Sequence, residues 1–162
     1  MRKLIVIVGA LFMLTSCGYK MAGLDGSDII TYYITGIHNR SDDYTFNTQL
    51  SDTITRFFYN YGALRDRDKA QYLIQVVLLT KRVYVSTESD TREALSSELE
   101  LRYHIYVTNQ NGRVVYDRIL RRTKAFYTGA TITQFNKNSA TAFDSATDDI
   151  FSGFKYAFEQ RR

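Results

Sequence analysis

The stretch Glu98–Leu120, ELELRYHIYVTNQNGRVVYDRIL, decides the fold. Leu99, Leu101, Tyr103, Ile105 and Val107 alternate with Glu98, Glu100, Arg102, His104 and Tyr106. Side chains repeat every second residue along a strand, so Ala94–Thr108 reads as a strand with one buried and one wet face. NQNG then reads as a hairpin turn in which Gly112 supplies a positive φ, and Arg113–Tyr127 is the returning strand. Both faces of that strand carry charges, so loop length sets its register. A three-residue loop, Gln110–Gly112, places Glu100 opposite Arg122 and Glu98 opposite Lys124, whereas a two-residue loop places Arg102 opposite Arg121. Opposite charges across a strand pair are favoured and like charges disfavoured, which selects the longer loop and turns Asp117 and Arg121 inward.

Working outward, Gln71–Val85 (QYLIQVVLLTKRVYV) is apolar on both alternating faces through Leu79, the pattern of a strand covered on both sides or central in a sheet. The polar STESDTRE links it to the hairpin. Ile29–Ile37 (IITYYITGI) is β-branched and aromatic and reads as the first strand, running into the turn-like HNRSDD. The period then changes. From Ser41, read as an N-cap with two aspartates in the first turn, Phe46, Leu50, Ile54, Phe57, Phe58 and Tyr61 recur at helical spacing until Gly62 stops the run. A second stripe starts near Ser139 with Phe143, Ala146, Ile150, Phe154, Ala157 and Phe158. The order is β-α-β-β-β-α. Two amphipathic helices on one face of a mostly antiparallel four-stranded sheet make an α+β two-layer sandwich, which buries each apolar face once.

The N-terminus has a different character. Arg2 and Lys3 precede the apolar run Leu4–Leu14, too short to span a bilayer, which takes about 20 residues, but of the length of a signal-peptide core. Thr15, Ser16 and Cys17 follow, and LTSC resembles the bacterial lipobox, where signal peptidase II cuts before a diacylated cysteine. The single cysteine cannot close an intramolecular disulfide; acylation, palmitate included, gives it a role. The expected organisation is a signal peptide over 1–16, a lipidated tether over 17–28 and one domain over 29–162. Removing Arg2 and Lys3 from 21 basic residues leaves 19 against 17 acidic ones, which is no nucleic-acid signature.

The start LTSCGYK, the stretch ITGIHNRSDDYTFNTQLSDTITRFF, the hairpin and the final helix together resemble the LptE family, lipoproteins of the outer-membrane lipopolysaccharide translocon. The chain departs from relatives in lacking the prolines that often open the first strand. The resemblance implies an outer-membrane, lipid-anchored protein on the periplasmic face that plugs and helps assemble the LptD β-barrel, binds lipopolysaccharide and catalyses no reaction. Gly18, where an inner-membrane retention signal has aspartate, points the same way. The resemblance implies basic residues near strand ends as the lipopolysaccharide contacts, which here are Lys81, Arg82, Arg118, Arg121, Arg122 and Lys124. Arginine forks suit phosphate oxygens. The alternative reading is a lipid-anchored periplasmic regulator of a cell-envelope enzyme such as a peptidoglycan synthase. A tether of about ten residues reaches at most ~35 Å, which favours a partner at the membrane.

Little else points to chemistry. His38 and His104 have no metal-site spacing, neither a G-x-S-x-G element nor a P-loop occurs, and the adjacent carboxylates Asp42–Asp43 and Asp148–Asp149 diverge on a helix. No cofactor, metal or nucleic acid is expected. Tyr32, Tyr33, Tyr84, Tyr106 and Tyr127 are candidates for a partner surface, since tyrosine is enriched in interfaces.

Overall fold

The computed structural model describes residues 29–61, 63–88 and 94–160. The expected signal peptide, Cys17 and the tether lie outside these residues, as do the helix stop at Gly62 and most of the STESDTRE link. In chain order the elements are β1 (Tyr32–Asn39), a 3-10 turn (Tyr44–Phe46), α1 (Asn47–Asn60), β2 (Tyr72–Glu88), β3 (Ala94–Asn109), β4 (Val114–Tyr127) and α2 (Ile132–Glu159). The strands form one sheet in the order β1-β2-β3-β4, with β1 parallel to β2 and the remaining neighbours antiparallel. A parallel pair needs a crossover connection, and α1 provides it. This is the α+β, β-α-β-β-β-α arrangement expected from the periodicity, with β2 inside the sheet and β1 and β4 at its edges.

The inward row of β3, Leu99, Leu101, Tyr103, Ile105 and Val107, has no solvent exposure. It packs beneath Phe143, Ala146, Ile150, Phe151 and Phe154 of α2, while Leu50, Ile54, Phe57 and Phe58 of α1 complete the layer. Phe151 joins the parts: its ring lies 5.6 Å from those of Phe57 and Phe58 and 5.8 Å from that of Tyr103. Edge and tilted ring pairs of this kind add about 1 kcal/mol each to the burial. Tyr103 keeps its hydroxyl satisfied by a 2.9 Å hydrogen bond with that of Thr147, and burial pushes its pKa well above the ordinary tyrosine value.

Element starts differ from the periodic reading. Ser41 is not the helix cap: its hydroxyl donates to Asn39, and Asp43 caps the 3-10 turn by accepting from the Thr45 N–H. Tyr61 lies just beyond α1 and is 47% exposed. β1 begins at Tyr32, not Ile29, although Ile30 is buried beside it. α2 begins two turns before Ser139, with Thr131 as cap accepting from the Gln134 N–H. Those first turns carry few apolar residues, so side-chain periodicity did not mark them.

The hairpin corrects the charge-based register while keeping its loop. The Asn109 N–H donates to the Arg113 carbonyl, the Gly112 N–H donates to the Asn109 carbonyl, and Gly112 has φ 78°. That is the three-residue loop. A bulge then follows at Val115, because Thr108 pairs with Val114 but Val107 pairs with Tyr116. Beyond it every partner is slipped by one: Glu98 faces Ala125, Glu100 faces Thr123 and Arg102 faces Arg121. The slip turns Tyr116, Leu120 and Phe126 toward the helices and leaves Asp117 and Arg121 on the open face. Burying each large apolar side chain is worth about 1.5–3 kcal/mol against a fraction of that for an exposed cross-strand ion pair, so burial sets the register.

Candidate functional site

The structure separates the six predicted basic residues into three places. On β4, Arg118, Arg122 and Lys124 share the helix-side parity of Tyr116 and Leu120, at the sheet's outer edge. Asp149 of α2 lies between two of them, 3.1 Å from Arg122 Nη2 and 3.5 Å from Lys124 Nζ. Arg118 has no ion-pair partner among the described residues, so the strip sets three cations against one carboxylate. At about 3.4 Å per residue, Arg118 and Arg122 stand ~14 Å apart along the strand. Past Lys124 the strip opens on a groove of about 410 Å³ between the end of β4 and α2, with Phe126 and Ala142 in its lining.

Arg82 and Arg121 are on the opposite, helix-free face. Arg121 Nε lies 2.9 Å from Glu100 Oε1, and the Tyr84 hydroxyl donates to Glu100 Oε2 at 3.0 Å. Arg82 stands opposite Glu100 on β2. His104 and Asp117 pair at 2.6 Å on this face, which mixes both signs of charge rather than forming a basic field.

Lys81 belongs to neither group. A bulge after Leu78 turns it to the helix side, where its side chain is 6% exposed. Its ammonium lies 2.6 Å from Asp43 Oδ2 and 3.2 Å from the centroid of the Phe46 ring. Burial by itself would raise the Asp43 pKa, but the Lys81 hydrogen bond and charge, with the Thr45 hydroxyl and N–H, hold it below the ordinary carboxylate value. Lys81 therefore clamps the 3-10 turn to β2, with its charge spent inside the fold.

Of the tyrosines, Tyr32 is core at 1% exposure, packed on Phe58, Phe154 and Phe158, and so drops out of any partner surface. Tyr84 and Tyr127 remain exposed. Among the described residues no group of three or more His, Cys, Asp or Glu forms a cluster suited to a metal ion, and no helix is long and apolar enough to cross a membrane.

A feature the sequence did not announce is a groove of about 910 Å³ along β1. Its walls are Tyr33, Ile34 and Ile37 of β1, Thr55 and Tyr59 of α1, and Leu64. Arg65, Asp66 and Lys69 stand at one end, with Asp66 and Lys69 paired at 3.3 Å.

No family model matches the chain, and no curated protein matches it in sequence. Solved structures do resemble it in fold. One is a protein of Caulobacter crescentus CB15 provisionally classed as a lipoprotein, at TM-score 0.57 and 10% identity over 76% of this chain and 88% of that one. A minor lipoprotein from Acinetobacter baumannii gives 0.52 and 15% over 78% and 92%. A hypothetical protein from Chlamydia trachomatis gives 0.54 and 10% over 80% and 95%. At these identities the likeness is one of fold, and two of these three bearers of it are described as bacterial lipoproteins.

Proposed function

We propose that the chain is a lipid-anchored protein of the bacterial outer membrane, acylated at Cys17 and facing the periplasm, which acts by contact and not by turnover. In this reading it plugs an LptD-like β-barrel, helps it assemble and binds lipopolysaccharide for insertion in the outer leaflet. The sequence LTSC before a folded domain supports the anchor, and buried acyl chains at about 0.8 kcal/mol per methylene would hold the domain on a bilayer. Fold neighbours that are themselves described as lipoproteins are in keeping with it.

The observation that carries the ligand is the edge of β4. Arg118, Arg122 and Lys124 form a strip with an excess of positive charge beside a groove whose wall mixes Phe126 and Ala142 with Asn138, Thr141 and Ser145. An anionic headgroup suits the charged strip, and the apolar part of the groove suits the start of an acyl chain. In this reading the lipopolysaccharide contacts are these three of the six, since Arg82 and Arg121 lie on the far face and the Lys81 side chain is buried.

The test is lipopolysaccharide binding by the full-length protein in detergent micelles. Charge reversal of Arg118, Arg122 and Lys124 together is expected to weaken binding at least about tenfold, the equivalent of one charge-assisted hydrogen bond. Reversal of Arg82 and Arg121 should leave it within about twofold. Equal binding by the triple variant overturns the site. Recovery of a peptidoglycan synthase without a large β-barrel from solubilised membranes favours a regulator of a cell-envelope enzyme instead.

A further inference from the structure

We infer that the edge of β1, unpaired beyond Tyr32 among the described residues, is a strand-addition site that takes one extended segment, about six residues long, from a partner protein. The two edges of the sheet differ in charge. β4 carries Arg118, Arg121, Arg122 and Lys124, the charged side chains with which proteins protect an edge from pairing. β1, YYITGIHN, carries no Lys, Arg, Asp or Glu. The β1 edge already accepts backbone at its first residue. Tyr32 N–H donates to the Ala63 carbonyl at 2.7 Å, and Arg65 N–H to the Tyr32 carbonyl at 3.0 Å, making an isolated parallel bridge with Leu64. The chain then turns away at Asp66, and from Tyr33 to Asn39 the edge has no further strand partner among the described residues.

The groove begins where that bridge stops. A partner strand rises about 3.3 Å per residue, as β1 does, so the seven residues from Tyr33 to Asn39 pair with an extended segment of about six residues, and the groove lies along them. An edge offers backbone donors and acceptors, which an acyl chain cannot meet and a peptide can. Alternate side chains of the occupant fall against Ile34, Ile37, Thr55 and Tyr59, so they are apolar. With Asp66 already paired to Lys69, Arg65 leaves a net positive charge at one end, which suits an acidic residue there. This site is on the opposite edge from the lipopolysaccharide strip and does not depend on it.

The test pans a phage library of random ten-residue peptides against the full-length protein in detergent micelles. Enriched sequences should alternate apolar and polar residues with an acidic end. One of them, resynthesised, should slow amide exchange in Ile34–Asn39 at least tenfold, and N-methylation of its backbone should abolish this. Thr55→Trp, which fills the groove from an exposed helix position, should weaken binding at least tenfold, while Ser152→Trp on α2 should leave it unchanged. Absence of enrichment, enrichment without alternation, equal binding of the N-methylated peptide, or indifference to Thr55→Trp each overturns the proposal. Sensitivity to Thr55→Trp without alternation assigns the groove to a peptide held by its side chains and not by strand pairing, and overturns the proposal too.

Discussion

Removing either partner of the Lys81–Asp43 pair breaks the same 2.6 Å contact, yet the two losses should differ because the partners are not equally buried. The Lys81 side chain is 6% exposed and that of Asp43 35%. Lys81→Met keeps an apolar stem against Phe46 and leaves a carboxylate that water reaches. The loss then combines a partly screened ion pair with a cation–π contact, about 2 kcal/mol in all. Asp43→Ala instead strands a buried ammonium, which costs about 3–5 kcal/mol, and removes the cap of the 3-10 turn, about 1 kcal/mol more. Urea unfolding of the full-length protein followed by circular dichroism is the assay, and Asp43→Ala should lose at least about 2 kcal/mol more than Lys81→Met. Acid adds a second readout. The pKa of folded Asp43 is held below its unfolded value, so its contribution is present above the unfolded pKa and disappears as pH falls through the folded one. The stability gap between wild type and Asp43→Asn should close over that range. A Lys81→Met loss equal to or larger than that of Asp43→Ala, or a gap independent of acid, refutes the clamp.

The bulge makes a prediction about deletions in β4. Removing Val115 leaves every pair from Tyr116 onward opposite its present partner, so the variant should fold with a urea midpoint near that of wild type; removing Arg118 turns Leu120 and Phe126 outward and should abolish cooperative unfolding. Gly129 has φ 82°, and a Cβ there would come within 2.6 Å of Gln134 Cβ at the start of α2. Gly129→Ala should therefore cost about 1–3 kcal/mol in the same assay, whereas an alanine at Gly112, where nothing lies within 4 Å of the added Cβ, should cost only the left-handed strain, about 1 kcal/mol.

Periodicity alone reached the element types, their order and the two-layer packing, because apolar spacing reports directly which face is dehydrated. The inward rows of β3 and α2 are the clearest instances, with Leu99, Leu101, Tyr103, Phe143 and Phe154 free of solvent as their spacing required. Local chemistry also marked the turn at Gly112, since a positive φ belongs to glycine, whereas the three-residue loop was chosen through a charge pairing that the structure does not make. The sequence could not reveal which charges share a face. One bulge residue, Val115, reverses the parity of all of β4 beyond it, and another after Leu78 carries Lys81 from solvent to the interior. A bulge is chosen by the sum of burial across the sheet, a non-local quantity that no window of residues contains. For the same reason the β1 groove had no signal of its own: being an edge is a property of strand order, set when β2 took its second neighbour from β3 and left β1 with a single one.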